Sequence, residues 1–75
     1  MSGAERQEAI ALMVATNAAA REQRQVAKRA CFYARVARAA GRDPARMIRL
    51  AASARTVAVR LGRARDALIA QVLRG

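Results

Sequence analysis

"LAASARTVAVRLGRARDAL", residues 50–68, decides the fold. A turn inside this stretch makes two short helices, the second free to read a surface. Without a turn it is the middle of one long helix. Met47, Leu50, Ala54, Val57, Leu61, Ala64, Leu68 and Val72 recur at spacings of three and four without a slip. That ladder is one face of a helix and argues for a continuous segment over about 43–73. Nothing between Ala51 and Arg55 is a strong breaker. Gly62 costs about 1 kcal/mol in a helix interior relative to alanine, which a packed helix tolerates.

The segment has a well-marked start. In "AAGRDPARM", residues 39–47, Gly41 suits the left-handed position that closes a helix. Asp43 suits the cap of the next one, and Pro44 is tolerated in its first turn. One helix is therefore expected to end near Ala40 and another to begin near Asp43.

Upstream, Ala19, Gln23, Val26, Ala30, Tyr33, Ala37 and Ala40 form a second three/four ladder. Arg21, Arg24, Lys28, Arg35, Arg38 and Arg42 form a basic ladder roughly opposite, with Cys31 in its one gap. Ile10, Met13, Val14 and Asn17, extended along the same straight helix, fall on the basic side. That mismatch predicts a break near Thr16–Ala20, with Thr16 or Asn17 as a cap. The competing reading is one long helix whose N-terminal patch meets another chain. The expected fold is all-α, a single domain over 1–75. It is a small antiparallel bundle with helices at about 4–16, 18–40 and 43–73.

Charge narrows the function. The net charge is +10, and it is uneven. Glu5, Arg6 and Glu8 leave the first twenty residues at −1, so the rest of the chain carries +11. A short domain this basic implies a polyanionic partner. Fourteen of the fifteen basic residues are arginine, whose planar fork suits phosphate and guanine. A coding bias toward arginine and alanine together explains the same ratio.

Catalysis and metal binding lack their residues. There is no histidine, and Cys31 is the one cysteine, so neither a zinc site nor a Ser–His or Cys–His pair can be assembled. No cofactor, metal or catalytic residue is assigned, and the chain is read as a non-enzyme. The lone thiol fits a reducing, cytoplasmic setting. The uncharged run Ala9–Ala20 is too short to span a bilayer. Glu5 and Glu8 beside it argue against a secretion signal.

Residues 50–68 resemble the helix-turn-helix of extracytoplasmic-function sigma factors and related transcription regulators. The recurring pattern there is roughly L-G-V-S-x-x-T-V-x-x-R-L-x-R-A-R-x-A-L. Leu50, Ser53, Thr56, Val57, Arg60, Leu61, Arg63, Ala64, Arg65, Ala67 and Leu68 match it. The resemblance implies a split near 52–54, with Ser53 capping a recognition helix whose Val57, Leu61, Ala64 and Leu68 pack inward. Arg55, Val59, Gly62 and Arg63 would then face a major groove, flanked by Thr56 and Arg60 on phosphates. Continuous helix and helix-turn-helix both remain open at this point.

The expected activity is nucleic-acid binding, DNA placed before RNA. The candidate residues are Arg21, Arg24, Lys28, Arg35, Arg38, Arg42, Ser53, Arg55, Thr56, Val59, Arg60 and Arg63. A homo-dimer or higher homo-oligomer is expected, with Ile10, Met13 and Val14 as its surface. The competing class is a structural or designed helical oligomer with incidental charge, although a designed bundle balances Arg with Glu. A membrane-surface role is disfavoured by the absence of Trp and the single Phe.

Overall fold

The computed structural model describes residues 1–75 and contains two helices, α1 (Gly3–Ala39) and α2 (Ala45–Arg74). They fold back on each other as an antiparallel hairpin measuring 58 × 13 × 12 Å over its Cα atoms. The all-α class is therefore present, but as a two-helix rod. The expected separate helices at 4–16 and 18–40 are one 37-residue helix. No turn forms near 52–54 either, because α2 runs unbroken for 30 residues.

The turn forms as its residues require. Gly41 takes φ 72°. The N–H of Gly41 donates to Arg38 O at 3.1 Å and that of Arg42 to Ala37 O at 2.8 Å. This pair of bonds satisfies carbonyls that the end of α1 would otherwise orphan. Asp43 Oδ1 then accepts the Ala45 N–H at 3.0 Å, and Pro44 O accepts the Ile48 N–H at 3.0 Å to start α2. At the other end Ser2 Oγ caps α1 by accepting the Glu5 N–H at 3.2 Å.

The seam between the helices is made of alanine. All eight buried residues are alanines: Ala9, Ala20, Ala27, Ala30 and Ala34 from α1, and Ala51, Ala54 and Ala58 from α2. Half-buried Met13, Thr16, Gln23 and Ala37, then Met47, Leu61, Arg65, Leu68 and Val72, complete it. Both sets follow one heptad spacing, alternately four and three residues, which is the pattern of a two-helix seam. Small side chains let the backbones approach closely, so the seam gains packing contacts that bulkier residues would forfeit by holding the helices apart.

The expected ladders were therefore right at every second rung and one residue off at the others. Gln23, Ala30 and Ala37 lie in the seam, but Ala20, Ala27 and Ala34 replace Ala19, Val26 and Tyr33. In α2, Met47, Ala54, Leu61, Leu68 and Val72 hold, while Ala51, Ala58 and Arg65 replace Leu50, Val57 and Ala64. With the seam shifted by one residue, Ala9, Met13 and Thr16 continue it and the mismatch that called for a break disappears. Thr16 does not cap: its hydroxyl donates back to Leu12 O within the helix at 2.6 Å. Neither helix is long and apolar enough to cross a membrane.

Candidate nucleic-acid interface

Two long grooves run along the rod, one on each side of the seam, and their chemistry differs. In an antiparallel heptad pair, one groove is bordered by the residues just after the "d" rungs of the ladder and the other by those just before the "a" rungs. On the first side α1 contributes Arg24, Cys31 and Arg38, backed by Arg21, Lys28 and Arg35 one row out, all on 3.6-residue spacing. α2 contributes Ile48, Arg55 and Gly62, with Val59 behind.

The side chains bear this out. One open groove is lined by Cys31, Arg35, Arg38, Ile48, Ala52 and Arg55, and the next along it by Arg24, Arg55, Ala58, Val59 and Gly62. Arg55 Nη2 donates to Cys31 Sγ at 3.0 Å, joining the two helices across the groove. Arg55 thus stands among the basic residues of α1, and the ridge is a two-helix surface. From Arg21 to Arg38 it spans about 25 Å at a helix's rise per residue.

Almost none of this charge is paired. The structure has one salt bridge, Arg65 to Asp66 at 3.1 Å, near the chain ends. Asp66 is also the one acidic residue on the basic side, and no carboxylate, Glu22 included, comes within salt-bridge distance of the cations from Arg21 to Arg38. Charge is polarised along the rod as well. Residues 21–63, the part next to the turn, hold twelve basic residues against Glu22 and Asp43, a net of +10. The remainder holds Arg6, Arg65 and Arg74 against Glu5, Glu8 and Asp66, a net of zero.

The other expected site residues separate. Arg42 lies in the turn. Thr56 and Arg63 occupy the outermost ridge of α2, and a shallow groove there is lined by Arg55, Thr56, Val59, Arg60 and Arg63. The Thr56 hydroxyl donates to Ala52 O at 3.0 Å, which leaves only its lone pairs outward. Ser53 and Arg60 flank the second groove, away from Arg24. Ser53 caps nothing, since α2 continues through it. Ala51 stands where a helix-turn-helix uses a glycine, and an alanine at φ > 0 is unfavourable. The structure has no positive-φ residue other than Gly41.

Arg29, Arg46 and Arg49, exposed in the half of the rod next to the turn, were not among the expected residues; Arg29 and Arg46 lie on the side of the second groove and Arg49 on the outer face of α2. Folding the chain at Gly41 and counting charge by layer is the signal that finds them. No group of three or more His, Cys, Asp or Glu side chains is placed to hold a metal. No protein-family model, curated protein or solved structure matches this chain.

Proposed function

We propose that this protein binds nucleic acid, duplex DNA foremost, by laying its basic groove along the phosphate backbone. The observation that carries the reading is the unpaired array of Arg21, Arg24, Lys28, Arg35 and Arg38 joined by Arg55 from the other helix. Cations without carboxylate neighbours are free to displace counterions from a polyanion, and that release drives affinity. Arginine adds fork geometry suited to phosphate oxygens. Recognition of this kind follows backbone and shape. The unbroken α2 offers no separate recognition helix, so base reading in the manner of a helix-turn-helix is not part of the proposal.

The test is fluorescence anisotropy with a mixed-sequence DNA duplex, and with its single strands and an RNA duplex, over a salt series. Arg24→Ala and Arg55→Ala should each weaken duplex binding and reduce the salt slope by about one unit per lost phosphate contact. Arg6→Ala, exposed at the neutral end, should bind as the parent does. Absence of binding at low salt, or equal losses in all three variants, removes this reading.

A further inference from the structure

The second groove is the apolar counterpart of the first. Its borders are Leu12, Ala19, Val26 and Tyr33 from α1 and Leu50, Val57, Ala64 and Gln71 from α2. Leu12 and Gln71 line one opening, and carrying that antiparallel register along the rod in heptad steps sets Ala19 toward Ala64, Val26 toward Val57, and Tyr33 toward Leu50. At the chain ends, Glu5, Glu8, Leu12 and Gln71 line one shared opening, which fixes the side. Leu12, Tyr33, Leu50 and Val57 are 53%, 56%, 45% and 40% exposed. Inside the hairpin no side chain larger than alanine is buried. A chain of this size with so small a core needs further apolar burial. Along the middle of the rod this groove supplies it without cations in its floor, whereas the large apolar residues of the basic side are Ile48 and Val59 among the arginines and Ile10, Val14, Ile69 and Leu73 at the chain ends.

We infer that a second copy of this chain covers the apolar groove, the two hairpins related by a two-fold axis along their length to form a four-helix bundle. In this arrangement α1 of one protomer lies antiparallel to α2 of the other. Each apolar layer then closes with four residues, two from each chain, such as Val26 and Val57 taken twice. The outer border chooses the orientation. On α1 it reads Glu8, Ala15, Glu22, Arg29, Val36 and on α2 Arg74, Ala67, Arg60, Ser53, Arg46. The long-axis two-fold brings Glu8 to the partner's Arg74, Ala15 to the partner's Ala67 and Glu22 to the partner's Arg60. Arg29 meets the partner's Ser53, and Val36 the partner's Arg46. No like charges meet.

A perpendicular two-fold would instead set Glu22 against its own copy and Arg60 against its own copy, and like charges directly opposed disfavour a pairing. All three glutamates of the chain lie on this side and none on the basic side. From Leu12 to Tyr33 the covered strip is about 32 Å long and two helices wide, roughly 600 Å² per protomer by helix dimensions. Doubled, that reaches about 1,200 Å², where stable interfaces begin. The basic grooves then face outward on opposite sides of the bundle. The inference does not depend on what those grooves bind.

Sedimentation equilibrium of the full chain tests it, with circular dichroism as the check on helicity. The parent should sediment at twice 8.1 kDa. Val57→Glu should abolish the dimer, and Val14→Glu, on the basic side, should leave it. Glu22→Arg and Arg60→Glu should each weaken the dimer about tenfold, and the double exchange should restore it to within about threefold, as expected of charges facing across an interface. A helical monomer in the parent, or a dimer lost through Val14→Glu and kept through Val57→Glu, overturns the inference. So do single exchanges that behave as the parent does, since a perpendicular two-fold predicts that result.

Discussion

Arg65 reaches across the hairpin to Asn17, its Nη1 donating to the amide oxygen at 2.8 Å in a partly buried contact. Arg65 is a seam residue, the one charged side chain at such a position within the paired length, and it is half-buried there. The same guanidinium bonds exposed Asp66 through Nε and Nη2 at 3.2 and 3.1 Å. Asn17, expected as a cap for a new helix, is a cross-helix acceptor instead.

Removing either partner should loosen the terminal half of the rod. Arg65→Ala is expected to cost about 1–2 kcal/mol, through lost stem packing as well as the lost bond. Asn17→Ala should cost less. A double-mutant cycle by urea unfolding should return a coupling of about 1 kcal/mol, and additive losses would show that the contact contributes nothing.

The alanine seam should resist enlargement. Ala54 is 3% exposed and lies in the same seam as Ala30, itself at 2%. Ala54→Leu should destabilise by about 1–3 kcal/mol despite its added hydrophobic surface, because the helices must separate along neighbouring layers. Val57→Ala at the groove border should cost less in the same unfolding assay at a protein concentration that keeps the parent's oligomeric state.

Two glycines should respond in opposite directions. Gly41 has open space around its Cβ position but sits at φ 72°, so Gly41→Ala should cost about 1 kcal/mol from backbone strain alone. Gly62 also has open space and lies within α2. Gly62→Ala should therefore gain about 1 kcal/mol of helix propensity. Thermal melts should move apart by several degrees in a chain of this length, on the order of 4–8 °C per kcal/mol.

Cys31 offers a native reporter of the basic groove. It is half-buried, bonded by Arg55, and is the one thiol in the chain. Saturating duplex DNA should slow its alkylation severalfold by covering the groove, whereas an unchanged rate would mean that binding occurs elsewhere. Arg55→Ala should speed alkylation in the free protein by uncovering the sulfur.

Much of this architecture was legible in the chain. The turn at Gly41–Pro44 could be read residue by residue, because its chemistry is local. The basic ladder of α1 could be read as well, since charge survives any choice of seam. What hydropathy hid was the seam itself. Val26, Leu50 and Val57 outweigh their alanine neighbours in hydropathy and Tyr33 outweighs Ala34 in apolar surface, yet close backbone approach favours the smaller residue, one position or 100° away. That one-residue error created the false break near Thr16–Ala20. It also put Met13 on the expected N-terminal surface, whereas Met13 lies in the seam and only Ile10 and Val14 remain outside. The partnership of Arg55 with the α1 ridge depends on which residues of two distant segments share a layer, and neither segment alone contains that information.

The lopsided charge of the rod has a consequence for how it meets other molecules. A net +10 concentrated toward the turn, with a neutral far end, gives a 58 Å body a large permanent dipole along its axis. In the field of a polyanion such a body experiences a torque before any surface touches. It swings turn-first, like a compass needle, so its approach is aligned while it is still within screening distance, and added salt erases the alignment by shortening that distance.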